Sequence, residues 1–212
     1  MKLLLFFYEM LLLLSLLAAD GVQHLLSIVE ATPLLCAAAD NAAHGLIALC
    51  SWNVVSLPQR FIVSELYPSI LCALLACVID IDHFLFSKSW SLADAVRLKR
   101  RPPFHATIPL ITLSGVVCFF RRYYHLHEDV LKSGLGWSTL FGPIALVAVT
   151  SHHVRDALRR GIWLWPLFAT KHTPSMPYPL VYALTLLFPI FVARFIYSPS
   201  GSSLTLSTIQ DV

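Results

Sequence analysis

A chain of 212 residues that is 57% hydrophobic and only 13% charged cannot cover a water-soluble globule, whose surface needs roughly twice that charged fraction. The mean hydropathy of +0.72 sets aside cytosolic enzymes, disordered scaffolds and secreted disulfide domains, and points to a multi-pass membrane protein. The formal net charge of +3 decides nothing alone; where the charges lie decides topology.

The apolar runs predict an all-α, multi-pass helical membrane fold of about five or six crossings, since each crossing needs about 20 residues. Three parts are expected: an N-terminal hydrophobic helix over 1–30, a helical membrane domain over 31–197 and a polar Ser/Thr-rich tail over 198–212. The first run, Leu3 to Ala19, contains Glu9 and lacks a clean A-x-A exit, which favours a retained helix over a cleaved signal. The second, Pro33 to Trp52, is interrupted by Asp40, Asn41 and His44, residues that are costly in hydrocarbon unless they face an interior. The third, Phe61 to Ile79, stops at Asp80-Ile-Asp82-His83. In the basic connector that follows, Ser91-Leu-Ala-Asp94 predicts a capping box opening a short interfacial helix. The fourth run, His105 to Phe120, starts behind Pro102-Pro103 and ends at Arg121-Arg122, which leaves His125 and His127 in a loop. The fifth spans Ser138 to Asp156 and the sixth Tyr178 to Tyr197. Five cysteines sit inside apolar runs with no C-x-x-C spacing, as expected of buried free thiols.

Residues four apart share a helix face, so Asp40 with His44, and His152 with Asp156, each point two metal-compatible groups the same way. A plain carboxylate–imidazole hydrogen bond explains either pair by itself. Asp80 and Asp82 are two apart, so the helix must end there for both carboxylates to converge. If each run crosses once, Asp40, His44, Asp80, Asp82, His83, His105, His152 and Asp156 all reach one membrane face. Unrelated structural pairs would not sort in this way, and the histidine and carboxylate mixture suits a divalent metal such as zinc or manganese. Asp20 and His24 reach the same side. His153, about 100° around the helix from His152, is expected to face away, and His172 receives no role.

Three segments carry a family resemblance. Asp40-Asn-Ala-Ala-His44-Gly-Leu resembles the opening D-N-x-x-H-x-L segment of the YdjM-like membrane-bound metal-dependent hydrolases, and Asp80-Ile-Asp82-His83 resembles their D-I-D-H segment. Ser151-His152-His153-Val154-Arg155-Asp156, followed by Gly161 and Leu164-Trp165-Pro166, is similar to their S-H-x-x-x-D segment and its ending. The resemblance implies a metal held by His44, His83, His105, His152 and carboxylates drawn from Asp80, Asp82 and Asp156, with a spare carboxylate as base. Which of Asp80 and Asp82 ligates and which takes the proton stays open at this point. One segment departs from the pattern: where that family reads H-R-G-x-T-H-S, this chain has Arg100-Arg101-Pro102-Pro103-Phe104-His105-Ala106. Arginine stays protonated and cannot ligate a metal, so the change reduces a two-metal site to one or marks a non-catalytic descendant.

Asp40, Arg100 and Arg101 are expected behind the ligands or at the substrate. The positive charge of Arg100 and Arg101 and a nearby helix N-terminus favour an anionic substrate, such as a phosphorylated lipid head group. The leading expectation is a membrane hydrolase, and the alternative is a structural or interaction protein that keeps the fold. A transporter fits less well because the polar groups gather at one face. The partners expected are the lipid bilayer and an anionic small molecule or lipid, with no nucleic acid. The endoplasmic reticulum or another endomembrane is the default location. Lys88, Arg97, Lys99, Arg100, Arg101, Arg155, Arg159, Arg160 and Lys171 on the site side outnumber Arg60, Arg121, Arg122, Lys132 and Arg194 on the other, which predicts a cytoplasmic site face.

Overall fold

A computed structural model describes residues 2–57, 66–98, 101–127, 137–167 and 172–197. The helices among them are α1 (Lys2–Ile28), α2 (Pro33–Ser56), α3 (Leu66–Val78), α4 (Ile81–Ser87), α5 (Leu92–Val96), α6 (Thr107–His127), α7 (Trp137–Arg160) and α8 (Tyr178–Tyr197). Four helical stretches, Leu3–Ile28, Pro33–Ser56, Leu66–Ser87 and Tyr178–Ile196, are long and apolar enough to cross a bilayer, and Thr107–Phe120 is a shorter apolar helix. The chain is therefore an all-helical, multi-pass membrane protein. Arg100 and the tail 198–212 lie outside the described residues.

Local chemistry sets the helix ends. Thr32 caps α2 by accepting the Leu35 amide, with Pro33 in the first turn. Between α3 and α4 the helix breaks at Ile79 and Asp80, so the membrane-length stretch is kinked where the two acids sit. The left-handed Lys88 (φ 54°) closes α4, with its amide donating to the Leu85 carbonyl and that of Ser89 to Phe84. The short α5 forms at the expected capping box, but Ser91 makes no side-chain cap; Ser89 instead donates to Asp94 Oδ2 at 2.6 Å. α6 begins only after a 3-10 turn over Pro103–His105 and continues through His127, so His125 and His127 are helical and not in a loop.

Two apolar clusters hold the bundle. Leu12 and Leu16 of α1 pack on Ile47, Cys50 and Val54 of α2, with Tyr182, Leu186 and Ile190 of α8 against them. Ala48, Trp52 and Val55 of α2 meet Cys72 and Ala76 of α3, Ile144, Val147 and Ala148 of α7, and Val192 and Ala193 of α8. Leu3, Phe6, Leu74, Leu187 and Phe191 remain exposed on outer faces, as a lipid-facing surface requires. α7 is too polar to count among the spanning helices, yet every residue from Thr150 to Ala157 is buried. Its neighbours are protein, which is why it tolerates His152, His153, Arg155 and Asp156. The five cysteines are free.

Candidate metal centre

Close helix contact brings the polar residues together. A Cβ on Gly45 would lie 2.8 Å from Cys77 Sγ, so a larger residue would have to displace the Cys77 thiol, which donates to the Asn41 carbonyl. That approach carries His44 towards the break after α3. His44 and His152 stack with ring centroids 3.9 Å apart. His44 Nε2 is 3.7 Å from Asp156 Oδ1 and 3.9 Å from Asp40 Oδ2.

At the break, Asp80 Oδ1 lies 3.4 Å from His105 Nε2 and 3.7 Å from His152 Nε2. The two histidine Nε2 atoms are themselves 3.4 Å apart, and Asp156 Oδ2 is 3.7 Å from His105 Nε2. His152 Nδ1 donates to the Ala76 carbonyl at 2.9 Å, which leaves the Nε2 lone pair facing the cluster. Asp82 stands behind His105: its Oδ2 accepts the Phe104 amide at 2.7 Å and pairs with His105 Nδ1 at 3.4 Å. His83 is at the margin, half-buried, with Nδ1 3.2 Å from Asp82 Oδ1 and its ring edge-on to His105.

Three triplets place ligand atoms within 4.8 Å of one another: His44, His152 and Asp156; Asp80, His105 and His152; Asp82, His83 and His105. His152 belongs to two and His105 to two, so they form one connected cluster and not separate sites. A divalent cation fits this donor set. Each triplet mixes nitrogen and carboxylate donors, His44 Nδ1 and one oxygen of Asp40 are buried without hydrogen-bond partners, and the orienting bond from His152 to a carbonyl is the usual support of a metal-ligating imidazole. Burial alone would lower the pKa of His105, but the hydrogen bonds its ring donates to Asp80 and Asp82 and the charge of Asp156 outweigh it and raise it to about 9.

The structure brings His44, Asp80, Asp82, His83, His105, His152 and Asp156 together, with Asp40 at the edge. Arg101 stands farther out, its Nη1 donating to the Gly161 carbonyl at 3.2 Å. Three residues do more than the sequence pattern indicates. Arg159 Nη2 bonds Asp40 and lies 3.5 Å from Asp156, a spacing of three that the helix period makes readable. Asp20 accepts from Arg155 at 3.0 Å and from the Tyr182 hydroxyl at 2.6 Å, tying α1 to α7 and α8. His153 stays outside the ligand triplets, as its rotation from His152 predicts, but it is buried and its Nε2 donates to the Phe104 carbonyl, bracing the turn that presents His105. Its 100° rotation from His152 leads to protein and not to lipid because α7 is enclosed on all sides here.

Spanning apolar helices around a buried histidine–aspartate cluster define a multi-pass helical membrane protein with a candidate metal centre. The chain is 37% identical over 153 residues to transmembrane protein 267 of Mus musculus, covering 71% of this chain and 66% of that protein. Identity to the Danio rerio protein of that name is 36% over 160 residues (74% and 66%), and to the Xenopus laevis protein 33% over 175 residues (81% and 73%). The chain belongs to the transmembrane protein 267 family. The match covers just under two thirds of the mouse and zebrafish proteins. No family model matches the chain, and no solved structure matches it.

Proposed function

We propose that this protein is a membrane-embedded, metal-dependent hydrolase acting on an anionic substrate. The observation that carries the reading is the opposition of His105 Nε2 and His152 Nε2 at 3.4 Å beside Asp80, with His152 Nδ1 already committed to the Ala76 carbonyl. Such nitrogens, with Asp156 and His44, form the ligand set of a divalent cation such as zinc or manganese and leave Asp80 beside it. A cation bound there supplies Lewis acidity, polarising a substrate oxygen and making water a nucleophile near neutral pH.

The remaining residues have distinct tasks. Asp82 positions His105 by holding its Nδ1, and His83 lines the margin. Asp80, 30% exposed against 4% for Asp82, is the acid best placed to accept a proton from water. Arg159 neutralises Asp40, and Arg101 adds positive charge towards the incoming anion. By the parity of the apolar runs, Lys88, Arg97, Arg101, Arg155, Arg159 and Arg160 fall on the site side, which favours a cytoplasmic site face.

The test is elemental analysis of detergent-purified protein against a His105→Ala, His152→Ala double variant. Stoichiometric metal in the natural protein and its loss in the variant is the expected result. Equal, negligible metal in both overturns the reading.

A further inference from the structure

The cluster opens onto a cavity of about 270 Å³ between α2, α4, α5 and α7, whose lining mixes two chemistries. Leu34, Ala37 and Ala38 of α2, Phe84 of α4, and Leu92 and Val96 of α5 give it apolar walls. Leu34 is 68% exposed and lies in the first turn of a helix long and apolar enough to cross a bilayer. Asp40, Asp80, Asp156, Arg159 and Arg160 supply charged groups to the same cavity. A free phosphate would leave the apolar walls wet, and a bare hydrocarbon would desolvate the charged groups, so only a molecule with both parts satisfies the cavity.

The sign of the polar part follows from the pairing of the charges. Asp40 is bound to Arg159, and Asp80 and Asp156 stand among His44, His105 and His152. Arg160 is exposed and has no ion pair among the described residues. It also lines a second cavity of about 1060 Å³, together with Arg101, Arg159, His83 and His172 and, among the described residues, with no carboxylate. Arg101 Nη2 is buried there without a hydrogen-bond partner. Around the entrance Leu85, Trp90 and Val96 are exposed on and beside α4 and α5, as in a segment lying at the membrane interface.

We propose that the cavity between α2, α4, α5 and α7 receives an anionic amphiphile from the bilayer, its apolar chain against Leu34, Ala38, Phe84 and Val96 and its head group beside Arg160 and the histidine–aspartate cluster. This names the substrate class of the hydrolase reading and rests on it for the chemistry, but not for the binding.

Native mass spectrometry of the detergent-purified full chain tests it, with dioleoyl phosphatidate, the phosphatidylcholine of the same chains, and inorganic phosphate as competitor. Phosphatidate should be retained over phosphatidylcholine, and Arg160→Ala should shrink that preference about tenfold, the loss of one charge-assisted hydrogen bond. Ala38→Trp, and Val96→Trp at an exposed position that folding tolerates, should each reduce retention of both lipids with bound metal unchanged. Retention unaltered by Arg160→Ala and Val96→Trp overturns the proposal, as does full displacement by inorganic phosphate, which would make the cavity a phosphate site. Lipid retained by a metal-free natural protein supports the amphiphile site and overturns the hydrolase reading; metal bound without lipid preference does the reverse.

Discussion

His152 on α7 donates its one neutral-state ring proton to the carbonyl of Ala76 on α3, 2.9 Å away, so the packing of two helices decides which nitrogen faces the cluster. Asp82 does the same for His105 through a carboxylate. His152→Ala is therefore expected to abolish zinc binding. Asp82→Asn, which leaves every Nε2 in place but loosens one, is expected to weaken it about 10–100-fold. Isothermal calorimetry distinguishes the two, and unchanged affinity in Asp82→Asn would remove Asp82 from the site.

The pH dependence of metal-free protein should run opposite to that of metal binding. His105 is raised from 6.5 to about 9, so its contribution to folding is fully present below pH 6.5 and is lost as pH rises through 9. A cation must displace that proton, so metal affinity should increase over the same window, by about tenfold per pH unit where one proton is released. Thermal unfolding of chelator-treated protein and zinc titrations at about pH 6.5, 7.5 and 8.5 measure the two trends. A metal-free protein that becomes more stable towards pH 9 would contradict the protonated His105.

Gly161 ends α7 with φ +66°, and a Cβ there would fall 1.9 Å from the Thr173 carbonyl oxygen. The segment after it folds back, with the Met176 amide donating to Ala157 and that of Thr173 to Ile162. Gly161→Ala is expected to cost at least about 2 kcal/mol by combining left-handed strain with a backbone clash. Denaturation of the purified variant reads the loss directly.

Arg155 is 4% exposed and its charge is met by Asp20 of α1. Asp20→Asn leaves that guanidinium without its counter-charge and is expected to destabilise by about 1.5–3 kcal/mol, against about 1 kcal/mol for Tyr182→Phe, which removes only a hydroxyl donor. A double-mutant cycle should show coupling between the two, since both act on the same carboxylate. Additive effects would mean that α1 is held by its apolar face alone.

Orientation is open to a direct experiment. Glycosylation acceptors placed after Ser89 and beyond Ser200 should be modified on the tail and not in the connector. Modification of the connector alone reverses the proposed cytoplasmic site face.

Much of the architecture is legible in the order of the residues. The sixth apolar run and α8 coincide at Tyr178 and Tyr197, because a polar, proline-containing connector precedes it and Ser198-Pro199 follows it in the sequence. Parity, with one crossing per apolar run, puts His44, Asp80, His105, His152 and Asp156 on one face, and they do meet, although only four described stretches are long and apolar enough to cross and α7 is not one of them. Parity says nothing of azimuth, so it gives His153 and Arg155 no contacts. Both lie on sides of α7 that a lipid-facing helix would expose and this one encloses. The missing Ser91 cap has a different cause: Ser89 competes for Asp94 through local geometry that spacing does not encode.

The enclosure of α7 also bears on how the chain enters its membrane. A segment carrying His152, His153, Arg155 and Asp156 gains little from partitioning into lipid alone, where each arginine or aspartate deep in the bilayer costs about 2.5–3.5 kcal/mol. Insertion of this helix is consequently a collective event: α2, α3, α6 and α8 are the medium into which it dissolves. Biogenesis therefore has to hold earlier helices near the translocation machinery until α8 has emerged. The residues that make the site polar are thereby the same ones that forbid the protein from assembling one helix at a time.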